Sequence, residues 1–221
     1  EARLLTGVGG AGKTRLAGEL AARMAGRGWI TLRLTSDVTA RLDVLSQVHR
    51  PLLIMDYAET RVPQLHALLD AVAHDQATSP VRVLALARAA GDWWTRAAEH
   101  PHSQVLASAS ITPIPPLHHT LEDRATAYRQ ALHDFSARLR RRDRATDWEA
   151  LLQVLTAVDA LPDLSGAEFD TPLSVQMAAL LALLDATGAP QAPTPALTLE
   201  ARLLRHERLY WESTANTLNG A

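Results

Sequence analysis

The stretch "LLTGVGGAGKTRLAGEL", residues 4–20, holds the chain's one lysine, Lys13; the other 21 of its 22 basic residues are arginine. Gly7-Val8-Gly9-Gly10-Ala11-Gly12-Lys13-Thr14 satisfies G-x-x-x-x-G-K-[ST] at every fixed position. Glycine reaches backbone angles that other residues resist, so Gly7, Gly9, Gly10, Ala11 and Gly12 are expected to turn their N–H groups onto phosphate oxygens. Lys13 suits the β/γ-phosphates because an ammonium is a compact point charge on a flexible stem, whereas the arginine fork is broad and flat. Thr14 is placed to offer its hydroxyl to Mg²⁺. Arg15 opens the following helix, whose N-terminal dipole favours negative charge. The context fits: Arg3–Thr6 reads as a short apolar strand, and 15–27 as an alanine-rich helix with Leu16, Leu20 and Met24 on one face.

Working outward, strand and helix patterns alternate. Trp29–Leu34, Pro51–Asp56, Val81–Ala87 and a weaker Ser110–Ile114 read as strands. Asp37–His49, Arg61–His74 and Asp92–Glu99 read as the helices between them. The rhythm predicts an α/β fold, a parallel P-loop sheet of about five strands with helices on both faces. The prolines of the last strand place it at an edge. "IPPLHH" (Ile114–His119) marks a boundary, so residues 1–117 are expected to form the α/β domain and 118–221 an all-helical lid. Within the lid, Thr120–Asp123 and Thr146–Glu149 read as capping boxes, the second opening a helix to about Leu161. Thr171–Thr187 reads as a third helix, and Leu197 to Leu218 as a fourth.

Composition removes several classes. With 221 residues and 47% apolar content the chain can bury a sizeable core, and a net charge of −2 gives no general attraction for nucleic acid. The absence of cysteine excludes disulfides, thiolate zinc sites and cysteine nucleophiles, and suits a reducing cytoplasm. No apolar run reaches the roughly 18 residues of a membrane span. The chain opens with Glu1 almost directly on the first strand. It is therefore expected to be a piece of a longer protein whose other domains carry sensor and effector.

Ligands of parallel sheets bind at the carboxyl ends of the strands. The glycine loop, Asp56 and Arg88 all stand at such ends. Leu53–Glu59, "LIMDYAE", has the form of a Walker B segment. There Asp56 would hold Mg²⁺ through a water, and Glu59 would polarise the attacking water. Arg88 follows the strand expected between the loop strand and the Asp56 strand, placed to sense a γ-phosphate and stabilise developing charge. Trp93 and Trp94 of "GDWW" read as packing and helix capping rather than base stacking.

These segments together resemble the STAND class of P-loop NTPases, the signalling ATPases that include NACHT and NB-ARC proteins. "GVGGAGKT", "LLIMDYAET" and "VLALARAAGDWW" are similar to that class's Walker A, Walker B and sensor 1 segments, most closely those of large actinobacterial regulatory proteins carrying "DYAETR" and "ARxxGDWW". In the helical half, "TPLSVQMAALLALL" resembles the class's GxP segment. The resemblance implies that Pro172 packs near the base; Asp170 stands where the class has glycine. It implies an ATP/ADP switch in which ATP exchange releases assembly, with homo-oligomerisation on activation, or an effector, and slow hydrolysis resets it.

Three other readings compete. A GTPase would need an [NT]-K-x-D loop, which a chain with no second lysine lacks. An AAA+-type ATPase would carry its catalytic acid beside the Walker B aspartate, where Tyr57 stands. A module that holds nucleotide without turnover is compatible with the three-residue offset of Glu59 from Asp56. The arginine run 138–144 reads as a helix terminus complementing its dipole, not a nucleic-acid surface. His100/His102 and His118/His119, with no carboxylate pattern nearby, read as loop histidines rather than a zinc site.

Overall fold

The computed structural model describes residues 1–35, 45, 47–74, 80–102, 106, 108–157, 161–187 and 198–204. The chain divides into two compact units, Glu1–Pro115 and Pro116–Ala221. The first unit runs β1 (Ala2–Thr6), α1 (Lys13–Ala25), β2 (Ile30–Leu34), β3 (Pro51–Met55), α2 (Val62–His74), β4 (Arg82–Ala87), α3 (Gly91–Ala98) and β5 (Ser110–Pro113). Its five strands form one parallel sheet in the order β2-β3-β4-β1-β5. As the sequence pattern requires, β4 lies between β1 and β3, and the proline-bearing β5 lies at an edge. Pro113 has no N–H to give, and the next residue supplies the bond instead, Ile114 N donating to Thr6 O at 2.7 Å.

Every residue of β3 is buried, which explains its unbroken apolar run. Leu53 and Met55 face a core shared with Leu65, Leu68 and Leu69 of α2 and with Trp94 and Ala97 of α3. The alternate residues Leu52 and Ile54 face the opposite core with Ala17 and Met24 of α1. Helix α1 departs from the expected face. Leu16 and Leu20 are 50% and 38% exposed, while Ala17 and Met24 are buried and Ala21 packs beside them. Small side chains let the helix lie close on a sheet already filled by Leu52, Ile54, Leu84 and Leu86. The helix expected over 37–49 falls largely outside the described residues; within it, Leu45 is buried.

The second unit is helical: α4 (Leu121–Arg142), α5 (Trp148–Thr156), α6 (Pro172–Thr187) and a short helical stretch at 199–204. Tyr128, Leu132, Trp148, Leu152, Val175, Ala179 and Leu183 share its core. The first capping box is present: Asp123 N donates to Thr120 Oγ1 at 3.0 Å, and Thr120 N to Asp123 Oδ2 at 3.1 Å. The second is corrected. Asp147, not Thr146, caps α5 by accepting from Ala150 N at 3.1 Å, while the Thr146 hydroxyl donates to Asp143 Oδ2 at 2.6 Å. Helix α5 also ends at Thr156, five residues early, because Ala157 turns to φ −56°, ψ 145°. The helix expected over 197–218 is described only at its start, where Thr198 Oγ1 accepts from Ala201 N at 3.2 Å. Among the described residues no helix is long and apolar enough to cross a membrane.

Ahead of α6, the Arg124 guanidinium donates to Leu164 O at 2.9 Å, Gly166 O at 3.1 Å and Asp170 Oδ1 at 2.6 Å. Asp170 thus fastens the approach to α6.

The Thr120 hydroxyl holds the Asp123 carboxyl below its usual range, with help from the Thr120 backbone. A depressed carboxylate contributes stability above its ordinary titration range and loses it as pH falls through the lowered value. Thr120→Ala should lower stability by about 1 kcal/mol near neutral pH, read from the urea midpoint. The deficit should shrink in acid, once Asp123 is protonated in both proteins.

Candidate functional site

The register sets Thr6 beside Ala87 and Met55 beside Ala85, so β1, β3 and β4 end at nearly one level. The glycine loop leaves β1 there, with Gly7 N donating to Ala87 O at 3.2 Å. Gly10 and Gly12 take φ of 78° and 95°, the left-handed region. A Cβ at Gly12 would meet nothing within 4 Å, so glycine is required there for its backbone angle and not for space. Directly after this bend α1 begins at Lys13, two residues before the expected Arg15, which is exposed. The Lys13 ammonium curls back and donates to Gly7 O at 2.6 Å and Val8 O at 3.0 Å. It thereby joins the end of the loop to its beginning. Gly9 and Val8 are exposed; Ala11 N donates to Val8 O at 3.3 Å.

Two separated motifs meet at the mouth of this loop. Thr14 Oγ1 donates to Asp56 Oδ2 at 2.6 Å, and Tyr57 N donates to Asp56 Oδ1 at 3.0 Å. The Thr14 and Asp56 oxygens are hard donors of the kind Mg²⁺ takes and already adjoin each other, so the pair suits the ion, Thr14 by its hydroxyl and Asp56 through a water. A cleft of about 590 Å³, lined by Asp56, Tyr57, Thr60, Arg61, Pro63 and Gln64, leaves room beside the carboxylate for water.

Beyond Asp56 the chain makes a tight bend. Tyr57 has φ 54°, a strained angle for a residue with a side chain, and Ala58–Thr60 form a 3₁₀ turn. Glu59 reaches from this turn to β4, where its Oε1 accepts from Arg88 N at 3.2 Å. Its other oxygen, Oε2, is buried and has no hydrogen-bond partner among the described residues. A buried carboxylate oxygen without a donor is costly, and such groups concentrate where a ligand or water completes them. Glu59 and Arg88 are therefore brought together, but through the Arg88 backbone; the residue itself is exposed. Pro172 lies in the second unit as the first residue of α6, behind Thr171, whose hydroxyl accepts from Ser174 N at 3.2 Å. Trp94 is buried, and Trp93 Nε1 donates to Ala89 O at 2.8 Å, in keeping with packing roles.

One residue escaped the sequence reading. Arg61 donates to Leu34 O at 2.9 Å, Asp56 O at 3.1 Å, Thr35 O at 2.6 Å and Gln64 Oε1 at 2.6 Å. It clamps the end of β2 to the end of β3. Three of its four acceptors are backbone carbonyls, which no sequence pattern displays; its only signal was its place at the end of "DYAETR".

No family model matches the chain, and neither does any curated protein. Solved structures do. The Drosophila ORC structure, bound to DNA, is 13% identical with a TM-score of 0.52, over 84% of this chain and 55% of that one. The fold is that of a P-loop NTPase. The Aeropyrum pernix ORC2 protein, solved in ADPNP–ADP complexes, is 14% identical at a TM-score of 0.44, over 91% of this chain and 60% of that one. C. elegans PCH-2 is 15% identical at 0.43, over 97% and 62%. Those two scores are too low to bear argument. The chain spans 55% of the fly protein's length, so the likeness is one of fold.

Arg61→Ala should destabilise the first unit by about 1.5–3 kcal/mol, the range for a hydrogen bond involving a charged group. Denaturant unfolding would measure it. Arg61→Lys should recover only part of the loss, because an ammonium cannot span the same carbonyls.

Proposed function

We propose that the chain is the ATP-binding, slowly hydrolysing switch module of a larger STAND-type signalling or defence protein. The observation that carries this reading is the 2.6 Å contact between Thr14 Oγ1 and Asp56 Oδ2. It sets a Mg²⁺-type oxygen pair at the mouth of a glycine loop that also holds Lys13. In this reading the N–H groups of Gly7, Gly9, Gly10, Ala11, Gly12 and Lys13 surround the phosphates, and the Lys13 ammonium exchanges a loop carbonyl for a phosphate oxygen. Arg15 adds positive charge at the first turn of α1. Mg²⁺ supplies charge neutralisation between the phosphates when bound. Glu59 turns its unpartnered oxygen to the attacking water, and Arg88 senses the γ-phosphate.

Other domains of the longer chain would read the ADP and ATP forms, the assembled form would be a homo-oligomer, and the setting would be cytoplasmic. No role for nucleic acid is proposed. Three arginines, Arg140, Arg141 and Arg142, close the last turn of α4, where cations complement the helix dipole.

A second reading, nucleotide holding without turnover, is favoured by one observation: Glu59 Oε1 is already engaged by Arg88 N. An AAA+-like ATPase shares the fold but would want an acid where Tyr57 stands.

Calorimetric titration with ATP, ADP and GTP in Mg²⁺ tests the site. Lys13→Ala should weaken ATP by about 3 kcal/mol, roughly a hundredfold or more. Undiminished affinity in that variant would remove the site. Glu59→Gln should keep ATP affinity while single-turnover hydrolysis falls by about 10²–10⁴. Hydrolysis unchanged by Glu59→Gln, or absent from the parent protein, would favour the holding module.

A further inference from the structure

The other face of the first unit carries a cluster that the sequence keeps apart. Asp70 lies on α2, and His100 and His102 lie in the turn after α3. His102 Nδ1 is 2.6 Å from Asp70 Oδ1, and His100 Nδ1 is 3.6 Å from the same oxygen. One ligand atom from each of the three lies within 4.8 Å of the others. The expectation that these histidines had no carboxylate near them is thus corrected: the acid arrives from a helix 30 residues earlier, through the packing of α2 on α3.

We propose that Asp70, His100 and His102 form a binding site for a divalent transition-metal ion of the Zn²⁺ type. The donor set, two imidazole nitrogens and a carboxylate oxygen, is one that zinc accepts, with a water in the fourth place. In a tetrahedral zinc site such donors, each about 2.0–2.1 Å from the ion, stand about 3.3 Å apart. The observed 2.6 and 3.6 Å separations bracket that value. The Asp70–His102 pair must open, and the two histidines, whose ligand atoms lie within 4.8 Å, must settle to the same spacing; the Asp70 and His102 side chains, 42% and 41% exposed, are not locked in a core.

An independent observation singles out the site. His100 Nδ1 is buried and makes no hydrogen bond among the described residues, although it faces a carboxylate. A buried imidazole nitrogen aimed at an acid just beyond bonding distance is the geometry an ion would complete. The ring is also held in place. His66, one helical turn before Asp70, stacks on His100 with centroids 4.2 Å apart and planes at 19°. Pro101 between the two histidines restricts their spacing. Outer groups that orient a ligand ring in this way tune metal affinity.

Asp70 is eight residues along α2 from Val62, hence about 12 Å down the helix from the Asp56 end. The site is separate from the glycine loop. Its occupant would staple α2 to the turn after α3, two elements that otherwise meet through apolar contacts.

The test is calorimetric titration of the chelator-stripped full chain with Zn²⁺ alone, with metal content measured after dialysis. One equivalent should bind and raise the thermal midpoint. His102→Gln and Asp70→Asn should each weaken binding by more than about tenfold. Both sites are partly exposed, so the variants should keep the parent's circular dichroism. Lys13→Ala should bind Zn²⁺ normally, which separates this proposal from the nucleotide reading. The chain has nine histidines, so adventitious binding is a real competitor. Failure to bind a stoichiometric ion, or binding that survives His102→Gln and Asp70→Asn alike, would overturn the proposal. A Co²⁺ substitution spectrum typical of tetrahedral nitrogen and oxygen ligation, lost in His102→Gln, would support it.

Discussion

A hydroxyl and a carboxylate 42 residues apart in sequence meet at 2.6 Å, and the first unit is organised around that meeting. It needs β1 and β3 to end at one level although they are not neighbours. Inserting β4 between them, in register with both, achieves this. The burial of all of β3, and of β4 from Val83 onward, follows, because a central parallel strand is covered on both faces. The apolar runs that fix the register are therefore also what aim Thr14 and Asp56 at each other.

Conformational cost is concentrated beside that contact. Gly10 and Gly12 bend the loop through left-handed angles at little expense, whereas Tyr57 takes such an angle with a side chain attached. The Tyr57 turn is held by its surroundings. Thr60 N and Thr60 Oγ1 both donate to Tyr57 O, at 3.0 and 2.9 Å, and Arg61 grips the carbonyl of Asp56. Glu59 is fixed at one oxygen by the Arg88 amide just past β4, while the other has no donor among the described residues. A rigid frame around an incompletely satisfied acid is an arrangement that stability alone does not favour.

Most of the sheet was legible because its central strands announced themselves by apolar runs, the edge strands more weakly, and the glycine loop by fixed spacing. The carboxyl-end placement of Gly7, Asp56 and Arg88 followed from the alternation of elements. What was hidden depended on partners distant in sequence or on the backbone. The buried face of α1 was misjudged because periodicity favours the larger side chains Leu16 and Leu20. Close contact with a crowded sheet instead selects Ala17. The cap of α5 moved by one residue because Thr146 is drawn to Asp143, a competition the four-residue capping pattern does not contain. The Asp70–His100–His102 cluster needs the packing of two helices before its members meet.

The single lysine now has a physical context. At two other places a cationic side chain spans several oxygens at once. Arg61 bridges two strand ends, and Arg124 holds two loop carbonyls and a carboxylate. Both tasks need a planar fork whose donors diverge in fixed directions. The Lys13 position asks for something else: a stem that folds back within its own loop onto Gly7 O and Val8 O. A guanidinium is too broad to enter that bend and too rigid to trade one oxygen for another there. Arginine elsewhere and lysine here are two solutions to two geometries, spreading donors across a frame and concentrating charge at a point.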